Sequence, residues 1–242
     1  VSSFDPDSIV TYPEAGPGPD DRESWGVKGS DEGQLDGPSG LAFDANDDLY
    51  VTDSLNNRVQ KFSQGGDFIL AFGRYGTGEG EFNRPWGITV DGDGAVYVVD
   101  WGNHRVQKFS ADGEYLMSFG GPGEGADSLS NPACVAVDRD GDVYVTDWGN
   151  RRVQIYEPDG SVLTALYGDA DKLSRAGEYN LARDPESVKI LARRGADVMS
   201  YLARFGRPIG IDIDDKDRVI VTDGRGRLQV YQKDNTYVEP PV

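Results

Sequence analysis

Short apolar runs separated by Gly, Asp, Asn and Pro dominate the chain from Pro38 onward. In Pro38 to Gly73 they read LAFD, LYVTD, RVQKF and FILAFG. Runs this short, alternating or wholly apolar and bounded by turn residues, predict β-strands rather than helices. Asp93-Gly94, Asp112-Gly113, Asp140-Gly141 and Asp159-Gly160 stand where successive runs must reverse, and Gly supplies the positive φ that tight hairpins need. Each set of four runs therefore predicts one antiparallel four-stranded meander.

The set recurs. Pro38 to Gly73 and Pro85 to Gly120 match at 16 of 36 positions without a gap, a third copy starts at Pro132 after the same 47-residue step, and a fourth starts at Pro208. One twisted meander cannot cover both of its own faces, so the copies must stack side by side about a common axis. Their shared motifs are Pro-x-Gly-apolar-x-apolar-Asp, Tyr-Val-x-Asp and Asp-x-x-Asn-x-Arg-Val-Gln. These resemble the NHL repeat, a β-propeller family, over about Trp25 to Tyr231 apart from one insertion. The chain also resembles bacterial NHL proteins that carry a helical segment before their last blade.

The resemblance implies an all-β, NHL-type propeller of four-stranded blades, six to a ring in the typical family member. The chain then reads as a single domain over 1–242: a partial blade at about 8–37, blades at about 38–84, 85–131, 132–168 and 208–238, and a helical insertion at about 169–206. SIVTY and ESWGV read as the last two strands of the partial blade, with Trp25-Gly26 in phase with Phe72-Gly73. Four complete blades and a partial one form an open arc, whose ends expose apolar sheet faces. The favoured reading is a piece of a six-bladed ring lacking N-terminal blades. The alternatives are completion by another chain through self-association, and a smaller ring in which SWGV pairs with RLQVY.

The repeat also sorts the polar residues. VDWGNHRVQKF, Val99 to Phe109, gathers Asp100, Asn103, His104 and Arg105 in a stretch that looks catalytic, yet Asp, Asn and Arg recur as Asp53, Asn56, Arg58 and as Asp147, Asn150, Arg152. What every blade repeats serves what every blade needs: Asp and Asn bond turn amides, and Arg ties a loop to a carboxylate or carbonyl. His104 stands where the sister copies have Asn57 and Arg151, which reads as a solvated, variable loop position. The turns DANDD, DGDG, DRDG and DDKD resemble fragments of calcium loops, but none carries the full spaced ligand set. Their recurrence points to hairpin chemistry. Cys134, where the sisters carry Gly40 and Gly87, reads as a small, buried, inert thiol.

Composition narrows the partners. A net charge of −18 and a pI near 4.3 argue against a nucleic-acid surface, because phosphate binding needs clustered cations. A single Cys excludes an intrachain disulfide framework, and a single His argues against a multi-histidine metal site. No apolar run reaches membrane-spanning length and no signal-peptide pattern is present, so the residues given read as soluble, with the compartment unspecified.

Local function should lie where the copies differ. In the insertion, Asp184-Pro185 gives a helix-start signal, and Val198, Tyr201, Leu202 and Phe205 recur at helical spacing; it reads as a packed decoration or a lid. Trp86, Trp101 and Trp148 occupy loop-face positions with Arg105 and Arg152 beside them. Aromatic and Arg side chains are favoured binding anchors, so these five are the candidate contact residues for a protein, peptide or glycan. Asp212 replaces Ala42, Thr89 and Ala136 inside an innermost strand, where a carboxylate is costly unless paired, solvated or bound to a cation. It is the candidate channel contact for a ligand or a divalent cation such as Ca2+; otherwise no cofactor is expected. The leading functional reading is a non-catalytic interaction module, and the alternative is a propeller enzyme of lactonase or lyase type with a divalent cation in its channel.

Overall fold

The computed structural model describes residues 9–11, 23–168 and 204–233. Strands β1 (Ile9–Thr11) and β2 (Glu23–Trp25) pair as the outer part of a first sheet. Three four-stranded meanders follow: β3 to β6 (Pro38–Phe43, Leu49–Asp53, Arg58–Phe62, Phe68–Phe72), β7 to β10 (Pro85–Val90, Val96–Asp100, Arg105–Phe109, Tyr115–Gly120) and β11 to β14 (Pro132–Val137, Val143–Asp147, Arg152–Tyr156, Val162–Leu166). The last sheet contains β15 (Pro208–Ile213), β16 (Arg218–Asp223) and β17 (Arg227–Gln232). The fourth strand expected of that blade lies outside the described residues, as does the helical insertion up to residue 203.

The first strand of each repeat is innermost, and β3, β7, β11 and β15 pack on one another in that order. This is a β-propeller arrangement. Second strands such as Leu49–Asp53, Val96–Asp100 and Val143–Asp147 are buried on both faces, because a blade lies on either side. That explains why LYVTD, VYVVD and VYVTD read as nearly continuous apolar runs. The core is accordingly a series of interblade clusters; Tyr97, Val99 and Val106 of one blade, for example, meet Val135, Val143 and Val145 of the next.

Close approach of inner strands accounts for the Pro-x-Gly motif. A Cβ on Gly40 would lie 2.3 Å from the Trp86 carbonyl oxygen, and one on Gly87 2.6 Å from that of Ala133. Thr52 Oγ1 accepts the Gly40 N–H at 2.6 Å and donates across the gap to Trp86 O at 2.6 Å. Cys134, at the third such position, is partly covered against β15 with Sγ 3.9 Å from Ile211 O, and burial pushes its thiol up.

The acidic turns do behave as hairpins. Asp44, Asp91, Asp138 and Asp214 each accept two turn N–H groups through Oδ1. In the first two blades the outer carboxylate oxygens face a lysine of the same blade: Lys61 is 2.8 Å from Asp44 Oδ2 and Lys108 3.9 Å from Asp91 Oδ2. The third blade has Ile155 at that position. Its carboxylates Asp138, Asp140 and Asp142 instead receive Lys233 Nζ from the last blade, at 2.8, 2.6 and 2.8 Å. Burial works against this ammonium, but the three carboxylates outweigh it and hold it above the usual lysine range, while Lys233 holds the Asp140 carboxyl below its ordinary value. A depressed carboxyl contributes stability above its unfolded value, near pH 4, that is lost as pH falls through the folded one. Lys233→Met is therefore expected to lower the melting temperature by about 2–4 °C at pH 7, with the difference from the parent shrinking below about pH 4; an equal deficit at both pH values in calorimetry would rule out this latch.

Among the described residues the ends of the series are open. Leu41 and Phe43 on β3 are exposed, as are Leu228 and Val230 on β17, and among the described residues no packing comparable to that between successive blades joins β3 to β15. The clasp between SWGV and RLQVY does not form: β2 pairs with β1, and β17 with β16. Phe205, which the helical spacing groups with the insertion, packs with the blades. Phe205 belongs to the last blade's entry, its N–H bonded to Tyr167 O at 3.0 Å and its ring buried against Tyr144 and Val219. Leu35, Phe82 and Leu129 plug the equivalent place in the earlier blades, each fully buried.

Candidate functional site

Chain direction puts the loops between second and third strands, and the connections into each inner strand, on one face. The repeated polar residues brace this face from below. Asp100 accepts the Asn83 N–H at 2.8 Å, Asn103 Nδ2 at 2.9 Å, Arg105 Nε at 2.9 Å and Gln107 Nε2 at 3.1 Å. Burial pushes its carboxyl up against those donors. Arg105 spends its other donors on Gly78 O and Glu81 O, and Arg152 does the same with Asp147, Gly125 O and Ser128 O. The Arg152 side chain is only 5% exposed. Both arginines thus lie in the framework beneath the loop face. The last blade keeps the scheme without its Asn: Asp223 accepts from Gly206 N and Arg227, and Arg227 also bonds Arg204 O.

His104 is not a solvated loop residue. It closes the short 3-10 turn Trp101–Asn103 at φ 58°, and its Nδ1 accepts the Asn131 N–H of the next blade at 3.0 Å. Asn57 makes the equivalent bridge to the Arg84 N–H at 2.8 Å. Sequence alone hid this role because Asn and His look interchangeable only once the acceptor atom is seen.

The three tryptophans separate. Trp148 carries the Arg207 guanidinium 3.9 Å above its ring, so a neighbouring loop covers it. Trp86 is 47% exposed at the mouth of β7. Trp101 is half-buried and forms one wall of a cleft of about 420 Å³ between the first two blades, lined also by Leu55, Asn57, Tyr75, Asn83 and Arg84. Tyr75 and Leu55, unremarkable in the sequence, are 72% and 53% exposed there. The positions of Trp86 and Trp101 are neighbours: in the first blade the equivalent Ser39 and Ser54 have hydroxyls 2.5 Å apart. The loop face therefore concentrates apolar surface around Trp86 and Trp101.

Asp212 lies on the side of the last blade turned away from the third, exposed to solvent, with Oδ1 accepting the Ile213 N–H at 2.9 Å. Exposure removes the desolvation cost that singled it out. Among the described residues no group of three His, Cys, Asp or Glu side chains is placed to hold a metal ion; where Asp138, Asp140 and Asp142 converge, the Lys233 ammonium fills the space.

The repeats match a known family. The NHL repeat covers residues 35–62, 82–109 and 129–156, from each buried plug residue to the end of the third strand. The chain is an NHL-repeat β-propeller. Solved structures similar to this NHL chain include virginiamycin B lyase from Staphylococcus aureus, at 12% identity and a TM-score of 0.58 over 94% of this chain and 63% of the lyase. A streptogramin B lyase aligns at 15% identity and a TM-score of 0.53 over 88% and 59%. The NHL chain thus spans less than two thirds of the length of these lyases, and likeness at such identity shows the fold alone. No curated protein matches it. No helix among the described residues of the NHL propeller is long and apolar enough to cross a membrane.

Proposed function

We propose that this NHL propeller is a non-catalytic interaction module that captures a protein or peptide on its loop face, at the cleft between the first and second blades. The observation that carries this reading is the exposed apolar group of Trp86, Tyr75 and Leu55 around Trp101, standing over a hydrogen-bonded framework that holds it rigid. Large amphipathic rings on a fixed base bind at little entropic cost. The chemically suggestive side chains beneath them are already committed: Asp100, Asn103 and Arg105 bond one another and the blade entry. A glycan would fit the aromatic surface as well, but the aliphatic Leu55 beside the rings of Tyr75 and Trp101 favours a peptide side chain.

The test is to pan a random peptide library on the immobilised chain and to measure the enriched peptides against Trp101→Ser and Trp86→Ser. These changes install the first blade's own residues, Ser54 and Ser39, so folding should persist. A loss of about 2 kcal/mol or more, roughly thirtyfold, is expected at a buried aromatic anchor. Failure to enrich any peptide, or equal binding by the variants, would remove the proposal.

A further inference from the structure

Arg84 stands out within this cleft on two independent grounds. Its backbone is left-handed, φ 55°, where the equivalent residues of the neighbouring blades are Gly37 at φ 62° and Asn131 at φ 51°. Gly and Asn are the residue types that bear this conformation most readily, and a long side chain there raises the energy of the fold. Its guanidinium is also exposed and has no hydrogen-bond or ion-pair partner among the described residues, although the chain holds 42 acidic residues against 24 basic ones. Of the other arginines of this face, Arg58 is engaged on Asp53, Arg74 on Glu81 and Arg207 on Trp148, while Arg151, exposed with a left-handed backbone at φ 57°, does not line this cleft. A strained position occupied by a cation that does nothing for the fold is a place to look for a ligand contact.

Resting on the reading of the cleft as a peptide site, we infer that its ligand is an acidic peptide segment, a carboxylate seated on Arg84 with an adjoining aromatic or aliphatic side chain on Trp101, Tyr75 and Leu55. The guanidinium fork matches a carboxylate in two parallel hydrogen bonds. The cleft's apolar walls, Leu55, Tyr75 and Trp101, match the neighbouring side chain. The Asn57 side chain bridges to the Arg84 N–H and fixes the rim from which the guanidinium projects. A phosphate backbone offers the same anion, but a chain of net charge −18 repels a polyanion at long range.

The experiment uses the whole 242-residue chain. Peptides enriched on the parent are expected to carry Asp or Glu beside an aromatic or aliphatic residue. Replacing that acid by its amide is expected to weaken binding about tenfold, as is raising the salt from low to high. Arg84→Asn, which installs the third blade's residue, and Arg84→Gly, which installs the first blade's, should each lose the acid-over-amide preference while melting no lower than the parent. Enriched peptides that are neutral or basic, held equally by both Arg84 variants yet lost on Trp101→Ser, would overturn this inference and leave the peptide site standing. Enrichment of nothing overturns both. Displacement of a selected peptide by oligouridylate at lower concentration than by its own acidic competitor would assign Arg84 to nucleic acid and overturn the inference as well.

Discussion

Asp100→Ala is expected to cost about 3–5 kcal/mol of unfolding free energy, the range for removing one partner of a buried, hydrogen-bonded charge pair. The Asp100 carboxylate has no solvent exposure and receives four donors, one from the connection that enters its own blade, one from the turn after its second strand and two from the third strand. Without it, the Arg105 guanidinium keeps only carbonyl acceptors, and the Gln107 and Asn103 amides each lose a partner in a space water does not reach. Breaking the exposed Arg74–Glu81 pair, whose Arg is 81% exposed, should cost far less, because solvent screens both charges. The contrast decides the interpretation, because both are ion pairs on the same face. Urea denaturation of Asp100→Ala, Arg105→Ala and the double variant gives the coupling directly: the double variant should cost clearly less than the sum of the singles. A cost for Asp100→Ala no larger than that of breaking Arg74–Glu81 would show that the repeated Asp is a surface residue, and the division between framework and site would lose its basis.

That division is what the sequence could and could not reveal. Periodicity exposed the blades, since a 47-residue recurrence of Pro-x-Gly, Tyr-Val-x-Asp and Arg-Val-Gln reflects packing that every blade must satisfy. The same logic assigns Asp100 and Asn103 to the framework. It also explains what stayed hidden. Arg105 and Arg152 were candidates for contact because a sequence does not show that their guanidinium groups point down into carbonyls rather than out. Trp148 looked like the twin of Trp101, yet Arg207, a residue of the next blade's entry, stacks on one and not the other. Tyr75, Leu55 and Arg84 escaped notice because they lie in connections where the repeats share little, and only the packing of two successive blades brings them to one cleft. Asp212 meets one of the three conditions its inner-strand position sets, solvation, because the far side of the last described blade is open.

Gly73→Ala is expected to destabilise the fold by about 2–5 kcal/mol, the sum of a left-handed backbone penalty of about 1–2 and an overpacking term of about 1–3. Gly73 ends the outer strand of the first complete blade at φ 92°, and Gly26, Gly120 and Gly168 close theirs at φ 85°, 82° and 83°. The turn is sharp because the chain must leave the rim and return over the loop face to the next inner strand. On that path Phe82 drops its ring into the core beside Gly73. A Cβ there would sit 2.4 Å from Phe82 Cδ2 and Cε2, and Phe82 is fully buried against Phe109, with ring centroids 5.4 Å apart. The ring therefore has little room to yield. Gly94→Ala supplies the control, since it shares a left-handed φ of 86° but meets nothing within 4 Å, and it should cost only the backbone share of about 1–2 kcal/mol. Equal losses for the two variants in urea denaturation would mean that the plug residue is not the reason for the glycine. A larger loss at Gly73 would tie the Phe-Gly ending of the strand to the residue nine positions later that seals the blade junction.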